Sequence, residues 1–197
     1  MKYDFHIHTS PYSPCSVVSV SEVCEKAVQL GFRGIGLTEH DVWWPSSDLV
    51  RLQKRFPQLS IFRGSEYALR DDHFLIYLPD GEDGKIPRTH DILGLIEAVH
   101  QREGIVIWAH PFRFDSDWSE WIDAADFDGL EIRSSNMDRR TQALARRVAE
   151  RRDLFTFCNS DTHELETLGQ YYNEIPEDLH CTLDFIRYVR GGLRRGT

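Results

Sequence analysis

Six of the nine histidines in this 197-residue chain stand at or beside the ends of short apolar runs, and acidic residues stand with them. The first case is the triplet His6-Ile7-His8. Side chains on a strand alternate with a period of two, so both imidazoles would share one face. Neutral imidazole is a good ligand for zinc, iron and similar metals, and neighbouring carboxylates offset the ion's charge. Two histidines simply packed at a strand end are the other reading of the same triplet. Asp161-Thr162-His163 repeats the alternation far along the chain. Between these pairs, Glu39 and His40 follow Gly34 to Thr38, Glu66 follows Leu59 to Arg63, His110 follows Ile105 to Ala109, and Glu131 follows a short apolar start. His73 precedes its run instead of ending one, so an ordinary hairpin histidine competes there. His90, His100 and His180 lie away from strand ends and read as surface or helix residues.

The elements that must position these groups alternate along the chain. Lys2 to Ile7 reads as a strand, and Ser19-Val20-Ser21-Glu22 as a capping box opening a helix that Gly31 can close. Gly34 to Thr38, Leu59 to Arg63 and Phe74 to Leu78 read as strands, with a helix from Ser47 to Phe56 stopped by Pro57. The Asp71-Asp72 turn makes the last two strands a hairpin or a close pair. Pro79 to Arg88 reads as a surface loop and Asp91 to Arg102 as a helix ended by Gly104. Ile105 to Ala109, Leu130 to Ile132 and Leu154 to Phe157 continue as strands, with helices at Trp118 to Ala124 and Asp138 to Arg151. Tyr171 to Ile175 is a strand or an extended edge, and Leu179 to Val189 a last helix before a flexible tail. Repeated strand-helix alternation implies parallel pairing with helical crossovers, and about seven strands suggest a closed or nearly closed barrel. In such barrels active sites are built at the end where the strands stop.

Composition narrows the field. A hydrophobic fraction of 41% is enough to bury a core, and the length suits one domain spanning residues 1–197. No apolar run of about 18 residues is present to cross a bilayer, nor does the start read as a signal peptide. Cys15, Cys24, Cys158 and Cys181 form no CxxC pair, which argues against a disulfide framework and for a reducing cytoplasm. A net charge of −9 argues against duplex nucleic acid as a partner, while a short oligonucleotide stays open. The arginines from Arg139 to Arg152 read first as a solvated helix face.

The residues resemble a known family. His6-Ile7-His8, Thr38-Glu39-His40-Asp41, Gly64-Ser65-Glu66, Ala109-His110-Pro111 and Ser160-Asp161-Thr162-His163 look like the ordered motifs of the PHP (polymerase and histidinol phosphatase) superfamily. The resemblance runs from Lys2 to about Glu174. It implies an α/β fold, a distorted (β/α)7 TIM-like barrel, with two or three divalent ions such as zinc, manganese or iron. It further implies that His6, His8, Glu66 and Asp161 hold one ion. Glu66 would bridge to a second held by His73 and His110, and His40 and His163 would hold a third. Where many members carry an Asp or His, this chain has Ser10-Pro11-Tyr12-Ser13-Pro14-Cys15-Ser16. Cys15 is then either a third-site ligand, favouring zinc or iron, or an unligated loop cysteine. Glu131 has no assigned ligand role and reads as a supporting or substrate-contacting group.

Clustered ions suit hydrolysis of a phosphate ester, with an activated hydroxide attacking phosphorus. Asp161 or His163 could manage protons. Arg113 and Arg133 could grip phosphoryl oxygens through bidentate contacts, against the plainer reading of exposed salt bridges. The expected function is a metal-dependent phosphoesterase acting on a small phosphorylated substrate. Its rivals are a nuclease or oligonucleotide phosphodiesterase, a non-catalytic metal-binding module, and an amidohydrolase, for which a strand-end lysine is missing.

Overall fold

Runs rich in β-branched and aromatic residues form the strands, and capped amphipathic segments form the helices that cover them. The computed structural model describes residues 1–81, 86, 89, 91–114 and 117–193; His90, most of the 79–88 loop and the end of the tail lie outside them. The order is β1 (Lys2–Ile7), α1 (Val20–Gln29), β2 (Phe32–Leu37), α2 (Ser46–Arg55), β3 (Ser60–Leu69), β4 (Asp72–Tyr77), α3 (Ile92–His100), β5 (Ile105–Ala109), α4 (Trp121–Ala124), β6 (Gly129–Arg133), α5 (Arg139–Arg152), β7 (Phe155–Cys158), β8 (Asn173–Glu174) and α6 (Thr182–Leu193). The capping box at α1 is present, with Ser19 and Glu22 bonded reciprocally, and Gly31 takes a left-handed φ of 74° just beyond the helix.

The sheet order is β7-β6-β5-β4-β3-β2-β1-β8. Most neighbours are parallel, but β4 runs antiparallel to both β3 and β5. The hairpin read from the Asp71-Asp72 turn is present, and it departs from the parallel pairing of the other sequential strands for a physical reason. Only Arg70 and Asp71 separate β3 from β4, and a parallel return needs a crossover of a dozen or more residues. β3 is also longer than the sequence suggests, so Glu66 lies within it. The segment from Tyr171 forms a short eighth strand antiparallel to β1.

The sheet curls until its ends nearly meet. Past β7, the Thr162 carbonyl accepts from the His8 N–H at 2.9 Å, and the Thr162 N–H donates to the His6 carbonyl at 3.3 Å. Lower down, two side-chain amides stitch the seam. Asn159 accepts from the Phe5 N–H at 3.1 Å, while Asn173 accepts from the Cys158 N–H and donates to the carbonyls of Cys158 and Tyr3.

Inside the barrel, Tyr3, Phe5, Phe62, Tyr77, Ile107 and Phe157 form one apolar layer that α6 closes from below. Phe185 of α6 stacks on Phe5 with centroids 3.8 Å apart. Gly36 and Gly64 leave room for Tyr77, since a Cβ on the first would come within 2.1 Å of its hydroxyl and on the second within 2.8 Å of its ring. Outside, one cluster packs β4 to β6 against α3, α4 and α5, and another packs β1 to β3 against α1 and α2. Asp128, just before β6, ties helix α3 to the sheet. It accepts from the Val106 N–H at 2.8 Å and pairs with His100 of α3 at 2.8 Å.

Two measurements test this packing. Phe185→Ala should cost about 3–5 kcal/mol in denaturant unfolding; a loss near zero would mean that α6 is not the plug. The hydrogen bond from His100 to Asp128 raises the imidazole pKa. Its stabilisation is therefore fully present below about pH 6.5, the unfolded value, and fades as pH rises through the higher folded value. His100→Gln should accordingly destabilise the protein at pH 6 more than at pH 9, as read by paired urea melts.

Candidate metal centre

A bulge in β1 decides what faces the barrel interior. Tyr3 and Phe5 point inward, yet Ile7 packs in the outer cluster with α1 and α2. The register of β1 on β2 slips between Asp4 and Ile7. The extra residue reverses the alternation, so His6 and His8 also turn inward, above the aromatic layer. Bulges are a common means of re-aiming a side chain beside a site. Glu66 reaches the same interior from β3, two positions along a face that begins with Phe62 and Gly64. His73 reaches it because β4 is antiparallel: its first residues lie opposite Ala68 of β3 and Ala109 at the end of β5. A residue that starts β4 thus shares an edge with residues that end the parallel strands.

His110 and Asp161, following β5 and β7, sit at φ of 26° and 50°. Such backbone costs on the order of 1–3 kcal/mol per residue and persists when its surroundings hold it. The Glu131 carboxylate does so at His110, accepting its N–H at 2.7 Å.

All eight side chains converge. His6 Nε2 lies 3.4 Å from Glu66 and 3.3 Å from Asp161, and His8 Nε2 lies 3.2 and 3.3 Å from the same two carboxylates. His40 and His73 approach opposite oxygens of Glu66 at 2.8 and 2.9 Å, and His110 reaches Glu66 at 2.9 Å. His163 Nδ1 stands 3.4 Å from Asp161, its ring stacked near His8. Four overlapping groups could each hold an ion: His6, His8 and Glu66; His6, His110 and Asp161; His40, Glu66 and His73; His8, His40 and His163. His40 therefore joins His73 at Glu66 as well as standing near His163.

The supporting layer sets the tautomers. His6 Nδ1 faces Glu131 at 3.0 Å; a carboxylate only accepts, so Nδ1 carries the proton and the Nε2 lone pair points into the cluster. Ser13 gives its hydroxyl hydrogen to Glu39, so its oxygen accepts from His8 Nδ1, and the His8 Nε2 lone pair points inward too. Glu39 is itself held by the Thr9 N–H and hydroxyl and by the Trp44 indole. The two Nε2 atoms end 3.0 Å apart. Two lone pairs at that distance, facing two carboxylates, require a positive charge between them.

The electrostatics agree. Burial opposes charge on His6, but Asp161, Glu131 and Glu66 outweigh it and raise its pKa well above the ordinary imidazole range. Burial would raise Glu66 and Asp161, yet the neighbouring imidazoles hold both well below the usual carboxylate range. Glu66 Oε2 and Asp161 Oδ1 are buried and meet imidazole nitrogens at 2.8–3.3 Å, yet neither receives a well-directed hydrogen bond, and buried polar atoms are seldom left so. A nitrogen and oxygen donor set with two orphaned carboxylate oxygens fits divalent cations.

The other sequence candidates divide. Arg113 Nη1 stands 4.0 Å from Asp161 Oδ2, at the cluster's rim. Arg133 is exposed and lies over the Tyr171 ring, with no contact to the cluster among the described residues. Cys15 is exposed and belongs to none of the four groups; the turn from Pro11 to Ser16 brings Ser13, not the thiol, against His8. Glu131 is buried beneath His6 as a positioning group. Asn136, which donates to Asp161 Oδ2, has no sequence signal beyond its place in the loop after β6.

A family model described as the PHP domain matches residues 4–102, and one described as PHP-associated matches residues 139–192. No curated protein matches the chain. Among solved structures, a candidate metal-dependent phosphoesterase of Bifidobacterium adolescentis is similar with a TM-score of 0.68 at 17% identity, over 95% of this chain and 96% of that one. An amidohydrolase of Chromobacterium violaceum with bound sulfate has a TM-score of 0.66 at 14% identity, over 96% and 97%. A lesion-specific endonuclease of Pyrococcus furiosus has a TM-score of 0.67 at 16% identity, over 96% of this chain and 56% of that one. At these identities the structures speak for the fold, and the family models, the first spanning half of the chain, speak for descent. The chain belongs to the PHP domain family.

Proposed function

We propose that the protein hydrolyses a small phosphorylated substrate at a two- or three-metal site held by His6, His8, Glu66 and Asp161, with His73, His110, His40 and His163 completing the set. The observation that carries this reading is the meeting of the His6 and His8 lone pairs with two orphaned carboxylate oxygens. Divalent ions bound there would supply an activated water and neutralise phosphoryl charge. The chain's own residues would do the rest. Glu131 and Ser13 hold the two imidazoles in the required tautomers. Arg113, 33% exposed at the rim, is free to swing from Asp161 to a non-bridging phosphoryl oxygen. Burial, and after it the His8 imidazole, lower the His163 pKa, which favours the unprotonated ring that could hold an ion. In the overall reaction water adds to phosphorus, the bond to the ester oxygen breaks, and that oxygen leaves with a proton. Four unpaired cysteines fit a reducing cytoplasm, and no helix is long and apolar enough to cross a membrane among the described residues.

A short oligonucleotide is the second substrate reading, favoured by the endonuclease that shares the fold. Comparing a monoester with a bis-ester on protein loaded with manganese, zinc or iron separates the two.

Two variants test the site. Asp161→Ala should lower ester hydrolysis at least about 100-fold and release bound metal measured by plasma mass spectrometry; full activity would sink the proposal. Glu131→Gln should weaken metal affinity or activity about 10–100-fold. An unchanged value would mean that Glu131 does not position His6.

A further inference from the structure

We propose that Phe114 is a stacking platform for the leaving group, and that the preferred substrate is a phosphate ester whose alcohol part carries a planar aromatic ring. The inference rests on the phosphoesterase reading and narrows it. Phe114 is the one aromatic among the large hydrophobic side chains left exposed in the described residues, at 55%. It is also placed where an ester's departing part would lie. Its ring centroid is 5.3 Å from His73 and 6.3 Å from His110, two members of the cluster. The Arg113 guanidinium sits over the ring at 4.9 Å, and the same guanidinium is 4.0 Å from Asp161. Asp161, Arg113, Phe114 and His73 thus form a continuous arc along one side of the cluster.

That arc has a division of labour. A phosphoryl group seated over the cluster would meet Arg113, and the group esterified to it would extend over the neighbouring ring. The exposed ring offers apolar area that a bound planar group would remove from water. A planar ring laid on Phe114 would cover it, gain stacking energy, and share the cation's attraction to a π-face. A short polar alcohol could do neither. Tyr12 on a neighbouring loop is already engaged edge-on with Trp44 and bonded to Asp48, and Trp43, after His40, packs on the outer cluster with Arg63 over its ring.

The test compares kcat/KM for phenyl phosphate, a nucleoside 5′-monophosphate and glycerol 3-phosphate on metal-loaded wild type, Phe114→Leu and Phe114→Tyr. The ratio of an aromatic to the aliphatic ester should fall about tenfold in Phe114→Leu and return in Phe114→Tyr, with metal content equal in all three. Loss confined to phenyl phosphate would set the ring directly beside the ester oxygen; loss confined to the nucleotide would set it a sugar's length away. Either supports the platform. An unchanged ratio, or equal loss on all esters, would overturn it. Calorimetric binding of phenylphosphonate against methylphosphonate gives the same comparison without turnover. If no ester is cleaved, the phosphoesterase reading fails by itself, while the phosphonate ratio still decides the role of Phe114.

Discussion

The structure turns on one electrostatic constraint: Glu66 and Asp161 are buried together at the mouth of a barrel, and the imidazole lone pairs of His6 and His8 point at the same spot. In a low-dielectric interior, like charges and unpaired polar atoms are costly, and only positive charge among them relieves the cost. A proton held by His6, whose pKa Asp161, Glu131 and Glu66 raise against the opposing effect of burial, is one form of that charge. A pair or trio of divalent ions is the other. Much of the surrounding architecture follows from holding this arrangement in place.

Each part of the frame corrects a direction. The β1 bulge turns His6 and His8 toward the space that the aromatic layer closes from below. Glu131 and the Ser13–Glu39 pair then fix which nitrogen of each ring faces in. The asparagine seam brings β7 to β1, and so delivers Asp161 to residues from the other end of the chain. Asp4 works at this seam as well: it accepts from the Ser160 N–H, and burial pushes its carboxyl up to about 7. The apolar layer and the polar one are stacked in a single interior, so strain or slippage in the first moves the second.

Much of this was legible in the residues. The alternating His6-His8 and Asp161-His163 pairs, the strand-end histidines and the capping box all depend on local periodicity, and local periodicity survives folding. The route by which His6 and His8 face inward was not legible, because a bulge is set by cross-strand register. The Asp71-Asp72 turn did suggest a hairpin or close pair for β3 and β4, but its consequence, that the start of β4 joins the ends of its neighbours, appears only when the sheet is assembled. That is why His73 looked misplaced in the sequence. Arg133 shows the opposite failure. A strand-end position beside Glu131 suggested the site, yet the register shifts between Glu131 and Arg133, and the arginine turns to Tyr171. Cys15 lies close in sequence to Ser13, but the turn presents only the serine to His8.

The charge balance also bears on how a phosphate ester could approach. Four buried carboxylates lie in or near the cluster: Glu66 and Asp161 within it, Glu131 one hydrogen bond away, and Glu39 two away through Ser13. Without cations this floor repels a phosphate, and the chain as a whole carries −9. Two divalent ions would do no more than neutralise those four acids. A net attraction for a phosphoryl group would then need a third ion, the guanidinium of Arg113, or contacts to the rest of the substrate. The last of these is the role that an exposed aromatic ring at the rim can fill, because stacking adds binding energy without having to neutralise those acids.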